Sequence, residues 1–200
     1  MAKINQIGNK TSALNINDEY DLPTVDGTIN QILTTDGANT ISWTRPSGIY
    51  VQGNSAATSS VITLSSGMSS GLPSKTSGDE VLTVSITPTN ASNILYIQFV
   101  TWWASFPNYT PYVRMNTALF QDDDDDGFVG TRHKFYYLST VAFSKVRASI
   151  VAGTTSATTI KARMGTDDTR TAYANGNTLG NSIFGGKSLT TLIVEEYKSL

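Results

Sequence analysis

Beyond residue 46 the chain alternates between short runs of mixed apolar and polar residues and spacers rich in Gly, Pro, Asn and Ser. In residues 80–87, Leu82, Val84 and Ile86 alternate with Val81, Thr83 and Ser85, which is the two-residue period of a half-buried strand. Comparable runs fall at 49–53, 60–64, 94–104, 112–120, 134–143, 145–152, 157–164 and 189–197, with a weaker one near 181–184. Turn chemistry separates them: Ser65-Ser66-Gly67, Pro88-Thr89-Asn90, Pro107-Asn108, Gly153-Thr154-Thr155 and Gly185-Gly186. No window carries a persuasive amphipathic helix. The pattern predicts an all-β fold, an antiparallel β-sandwich or jelly roll.

The first 45 residues read differently and set a boundary between an extended N-terminal segment, 1–45, and a β-jelly-roll head, 46–200. Residues 1 to about 20 are polar and Asn-rich, with Ile4, Ile7, Leu14 and Ile16 isolated among them. Such a stretch cannot bury itself, so it is either disordered or ordered against a partner. Next come two Asp-Gly pairs, Asp26-Gly27 and Asp36-Gly37, with Ile29, Ile32 and Leu33 between them and Ile41 and Trp43 after. Asp-Gly favours a tight turn, because Gly accepts positive φ and Asp bonds back to the local backbone. The segment therefore predicts turn, short strand, turn, short strand.

The residues Tyr20, Leu22, Pro23, Asp26, Gly27, Gln31, Leu33, Thr35, Asp36, Gly37 and Trp43 spell a pattern that resembles a motif common in tail-fibre and other virion-surface proteins of bacteriophages. In that family the motif precedes a β-rich head or lies within a trimeric shaft. The resemblance implies a virion appendage and no particular chemistry. Two stretches of the head add to it: Ile86-Thr87-Pro88-Thr89-Asn90-Ala91-Ser92-Asn93-Ile94-Leu95-Tyr96-Ile97, and the stretch from Gly185 to Tyr197. They are similar to parts of phage jelly-roll heads whose architecture is like the trimeric TNF/C1q fold. The likeness implies a homotrimer with its last strand deep in each subunit.

Composition narrows the chemistry. Charged residues are 15% of the 200, and about fifty residues are Ser or Thr, a balance that suits strands and turns. With no Cys there is no disulfide framework, thiol nucleophile or cysteine-bound metal. One histidine, His133, excludes a multi-histidine site within one chain; beside Arg132 and Lys134 it reads as a surface residue between turn and strand. The net charge is −2, with five acids in one run at 122–126. The remainder is mildly basic and scattered, which predicts no nucleic-acid surface. No apolar stretch is long enough to predict membrane insertion. The start of the chain lacks the apolar core of a signal peptide, so synthesis in the host cytoplasm and a final place in the virion are expected. The sequons at Asn9, Asn90 and Asn108 are read as chance. No nucleophile elbow, phosphate loop or spaced carboxylate pair stands out, so no enzyme is expected. Depolymerase spikes carry long β-helical repeats, which are absent here.

Two features suggest contacts. Trp102 and Trp103 are adjacent, so on one strand they face opposite sides, and at most one enters the core. With Phe106, Tyr109 and Tyr112 they form a candidate contact surface, for neighbouring copies or for sugar rings. Coverage of both faces by loops is the alternative. Asp122, Asp124, Asp126 and Gly127 match the opening of a calcium loop, but its twelfth position is His133 where a bidentate Glu belongs. The run reads as a solvated hairpin tip, with a Ca2+ or Mg2+ shared between copies as the second reading; no other cofactor is implied. The sequence thus predicts a trimeric fibre-type adhesin. Tyr20, Leu22, Ile29, Leu33 and Trp43 are its docking or trimerisation candidates, and a host-surface glycan or protein is its target. A capsid decoration protein, favoured by the short chain, is the alternative.

Overall fold

Residues Ile94–Ser105 form the longest strand among the described residues, and the head is arranged around it. In the computed structural model the chain divides into two units, Met1–Ile49 and Tyr50–Ser199. The structure describes residues 15–16, 20–28, 31–38, 40–44, 48–69, 71–105, 112–136, 141–167 and 170–199. The first unit contains β1 (Asn15–Ile16), β2 (Tyr20–Asp21), β3 (Ile32–Thr35) and β4 (Ile41–Thr44). The head contains β5 (Tyr50–Thr58), β6 (Ile62–Leu64), β7 (Asp79–Ile86), β8 (Ile94–Ser105) and β9 (Tyr112–Gln121). It continues with β10 (Val129–Tyr136), β11 (Ala142–Val151), β12 (Thr158–Thr166), β13 (Ala172–Ala174) and β14 (Thr190–Tyr197).

All pairings between these strands are antiparallel. One head sheet runs β10-β9-β12-β7. The other runs β11-β8-β14-β5, with β13 and β6 extending it beside the far end of β8. This is the strand order of a jelly roll, as the sequence pattern predicts. The inner faces share one core: Leu95, Ile97, Phe99 and Trp103 of β8, with Leu192 and Val194 of β14, cluster with Val84, Met115, Leu119 and Ile160 from the other sheet. Alternation along each strand produces this division, since successive side chains point to opposite faces.

A buried carboxylate anchors the last strand. Glu196 is fully enclosed in β14, where its Oε1 accepts hydrogen bonds from Thr89 N–H and Oγ1 at 2.8 Å and from Asn93 Nδ2 at 2.6 Å. Gln52 Nε2 of β5 donates to its Oε2 at 2.6 Å. Burial opposes ionisation most strongly, but these donors together outweigh it and hold the carboxyl below its ordinary range. The stretch around Thr89 and Asn93 is thus a clasp on the final strand, and β14 lies between β5 and β8.

Three local readings differ from the structure. The strand expected over 134–143 begins earlier, at Val129. Asp122 enters the left-handed region at φ 49°, and its carboxylate accepts from Thr159 N–H and Thr158 Oγ1, both at 2.7 Å. The turn is therefore tight, and pairing resumes with Val129 opposite Leu119. His133 consequently lies within β10, opposite Met115, and not in a turn. The weak run near 181–184 is not a strand but leads into a single 3-10 turn, Ile183–Gly186, because Phe184, Gly185 and Gly186 all have positive φ. The short strand β13 was not foreseen; its three residues are too few to display a period.

Candidate interaction surface

The outer faces of the two head sheets are treated differently. On the four-stranded sheet, the segment between β6 and β7 folds over β9. Met68, Ala118 and Phe120 form a second small cluster there, with Phe120 only 1% exposed. The segment is sewn down by polar contacts. Asn116 Nδ2 donates to Met68 O, Met68 N–H to Thr166 O at 2.9 Å, and Arg163 to Ser77 O at 2.9 Å and Gly78 O at 2.6 Å. Asp79 accepts from Ser65 N–H, Ser66 N–H and Ser66 Oγ. Burial again opposes ionisation most, but the hydrogen bonds from Ser66 and Ser65, with the nearby Arg163, lower the Asp79 pKa from its ordinary value.

The Asp run belongs to this cover. Lys75 Nζ contacts Asp125 Oδ1 at 2.8 Å and Asp123 O at 3.0 Å, and Lys161 Nζ contacts Asp123 Oδ1 at 3.2 Å. Ser74 bridges to Asp126, and Gly127 N–H donates to Pro73 O at 3.0 Å. Among the described residues no three acidic or histidine side chains gather closely enough to hold a metal ion. Asp122, Asp124 and Asp126 therefore do not converge within one chain; lysines supply the positive charge that the mutual repulsion of the run demands. The sequence pattern alone shows neither lysine, because Lys75 and Lys161 lie far away along the chain.

On the outer face of the six-stranded sheet no such cover is found among the described residues. Trp102 lies on it, and Trp103, its neighbour, is in the core with 2% exposed, so the pair divides as their adjacency requires. Trp103 is thereby removed from the contact candidates. Trp102 packs edge-to-face with Phe143 of β11, centroids 5.1 Å apart, and with Phe184 at 6.0 Å. Ring pairs of this kind contribute about 0.5–1.5 kcal/mol each beyond area burial. Phe143 is placed by register, directly opposite Trp102. Phe184 is placed by backbone conformation. Asn175, at φ 56°, turns the chain after β13, and its side chain donates to Thr58 O at 2.9 Å and Ser60 O at 3.2 Å. Phe184 then lies at φ 50°, a costly position for a bulky residue, with 70% of its surface exposed. At the opposite end of the face, Tyr50 and Tyr197 pack edge-to-face at 5.8 Å, beside exposed Tyr96 and Val151.

The remaining contact candidates disperse. Tyr112 stands at the start of β9 in the other sheet, its ring beneath Arg114 and Lys134 at 4.5 and 4.2 Å, so it does not share a face with Trp102. Phe106 and Tyr109 lie outside the described residues. Phe143, Phe184 and Tyr197 were missed as site residues. Alternation over 189–197 could have placed Tyr197 outward, but no local signal places Phe143 or Phe184 against Trp102.

In the N-terminal unit the predicted second turn forms. Asp36 Oδ1 accepts from Ala38 N–H at 2.7 Å and Thr40 N–H at 3.2 Å, Gly37 sits at φ 78°, and β3 pairs with β4. Gly27 has a different role from the one expected. It does not adopt positive φ; a Cβ there would strike the Trp43 ring. Trp43 Nε1 donates to Val25 O at 2.9 Å, and Gln31 Nε2 to Trp43 O at 3.4 Å, while Gln31 Oε1 accepts from Thr28. The motif residues thus hold one another. Of the docking candidates, Trp43 and Leu22 are half-buried, Leu33 is exposed, Tyr20 lies in β2, and Ile29 is outside the described residues.

The fold and surface define an all-β jelly-roll protein with a ring-rich sheet face open to solvent. The chain matches no protein-family model and no curated protein. Among solved structures it is similar to one described as the infectious bursal disease virus Gt strain, at 9% identity and a TM-score of 0.38, covering 80% of this chain and 40% of that one. A T13 viral particle of the same virus gives 12% identity and a TM-score of 0.38, over 80% of this chain and 38% of that one. Its VP2 subviral particle gives 12% and 0.33, over 80% and 44%. The chain thus spans less than half the length of these proteins. Identities and TM-scores this low assign it to no family.

Proposed function

We propose that the chain is a non-enzymatic virion structural protein of a bacteriophage, a homotrimeric fibre or spike in which residues 1–45 dock on the particle and the head faces the host. The open outer face of the six-stranded sheet carries the assembly part of this reading: exposed rings clustered on one side of a sheet suit burial against other protein. The motif between Tyr20 and Trp43 supports the virion part, through its resemblance to phage appendage proteins and through the interlocking of Gly27, Gln31, Asp36 and Trp43 into one small hairpin unit. Clustering three heads lets weak host contacts act together, because linked copies raise the effective concentration.

Gold-labelled antibody against this chain, applied to intact particles, tests the reading. Label at the tail is the expected result. Label over the head moves the protein to the capsid decoration class. Absence from the particle overturns the virion assignment.

A further inference from the structure

Resting on the reading that copies of this chain assemble, we propose that they join head-to-tail: the β11 edge of the open face in one copy packs on the β5–β14 edge of the same face in the next, with Arg147 opposite Glu195 of that copy. The proposal follows from an asymmetry within the face. Register places Phe143, Lys145, Arg147, Ser149 and Val151 outward along β11, all of them exposed. Along β5 the outward positions opposite Glu195, Ile193 and Thr191 are Gly53, Ser55 and Ala57. The β11 edge of the face is therefore raised. Tyr50, at the end of the β5 column, reaches over Gly53, its Oη 3.0 Å from where a Cβ would stand, so the β5 edge is low only at Ser55 and Ala57, where the bulkier residues of β11 meet small side chains.

Charge shows the same asymmetry. Lys145 and Arg147 lie on the raised edge, and Glu195 borders the low one. Among the described residues none of the three forms an ion pair within its own chain. Arg147 Nε donates only to Gln98 Oε1, at 2.7 Å, and Glu195 accepts from Tyr197 Oη at 3.2 Å. The two bases on one edge and the acid on the other do not pair inside a subunit, where β8 lies between β11 and β14. They meet when the raised edge of one copy lies on the low edge of another. A contact between two different patches leaves a free low edge on one copy and a free raised edge on the other. Repeated by a rotation that closes, it makes a ring, as a trimer requires. A second copy is thus the occupant that complements this face in both size and charge.

Sedimentation of the full chain at micromolar concentration, with Arg147→Glu, Glu195→Arg, the double exchange and Ser55→Trp, tests the proposal. Each single charge reversal and the tryptophan are expected to shift the assembled species to subunit mass, and the double exchange to restore it. Arg147 and Ser55 are exposed and Glu195 is half-buried, and an unchanged far-ultraviolet circular dichroism spectrum verifies the fold of each variant. If the unaltered chain assembles and neither the reversals nor Ser55→Trp shift it, this interface is wrong and the assembly reading stands. A lone subunit for the unaltered chain overturns both.

Discussion

The outer face of the four-stranded sheet and that of the six-stranded sheet begin from similar material and end differently. Both carry aromatic residues on strands whose inner faces fill the core. On the first, Phe120 and Ala118 are sealed beneath the chain's own covering segment, with Met68 packed on them and Asn116, Arg163 and Asp79 fastening it. On the second, Trp102 packs against Phe143 and against Phe184, and these two rings keep 42% and 70% of their surface exposed. An outward aromatic residue therefore has no fixed meaning. Its role depends on whether the chain supplies its own cover, which for β9 costs about fourteen residues of loop that β8 lacks.

The comparison is broken most directly by truncating one ring on each face. Phe120→Ala is expected to lower unfolding stability by about 3–5 kcal/mol, the cost of an emptied aromatic site. Phe143→Ala, 42% exposed, is expected to cost about 1 kcal/mol or less in a dissociated subunit. Equal losses in urea unfolding would mean that the second face is covered after all.

Asp79 sharpens the contrast through pH. Its folded pKa is depressed, so its contribution is present above the unfolded value, about 3.9, and is lost as pH falls through the lower folded value. Asp79→Asn is expected to cost about 1.5–3 kcal/mol at neutral pH, from weakened charge-assisted hydrogen bonds, and less in strong acid. Parallel stability curves for the two proteins between pH 7 and 2 would refute that account. Asn116→Ala, which frees the Met68 carbonyl, is expected to cost about 1–3 kcal/mol in the same assay. The smallest effect belongs to Phe184→Ser. It removes a ring from the open face and is expected to leave subunit stability within about 0.5 kcal/mol.

Much of the architecture was legible along the chain. Alternation in 80–87 and 189–197 assigned strands and faces, and Asp36-Gly37 specified a hairpin turn that the structure contains. The opposition of Trp102 and Trp103 followed from the two-residue period alone, and the core took one ring and left the other outside. These are statements about neighbours in sequence, and backbone geometry enforces them locally.

Other features depended on residues far apart in the chain. The Asp run resembled a metal loop until folding brought Lys75 and Lys161 beside it. Gly27 read as a turn residue until the Trp43 ring came to rest against it. Phe143 meets Trp102 only because β11 pairs with β8 in one particular register, and Phe184 only because Asn175 and two glycines turn the chain back. The sequence by itself determined which residues share a strand face and where strands end, since period and turn chemistry act over a few residues. The tertiary structure alone decided which face is covered, which charges are paired and which rings meet, since those contacts join residues that no local pattern relates.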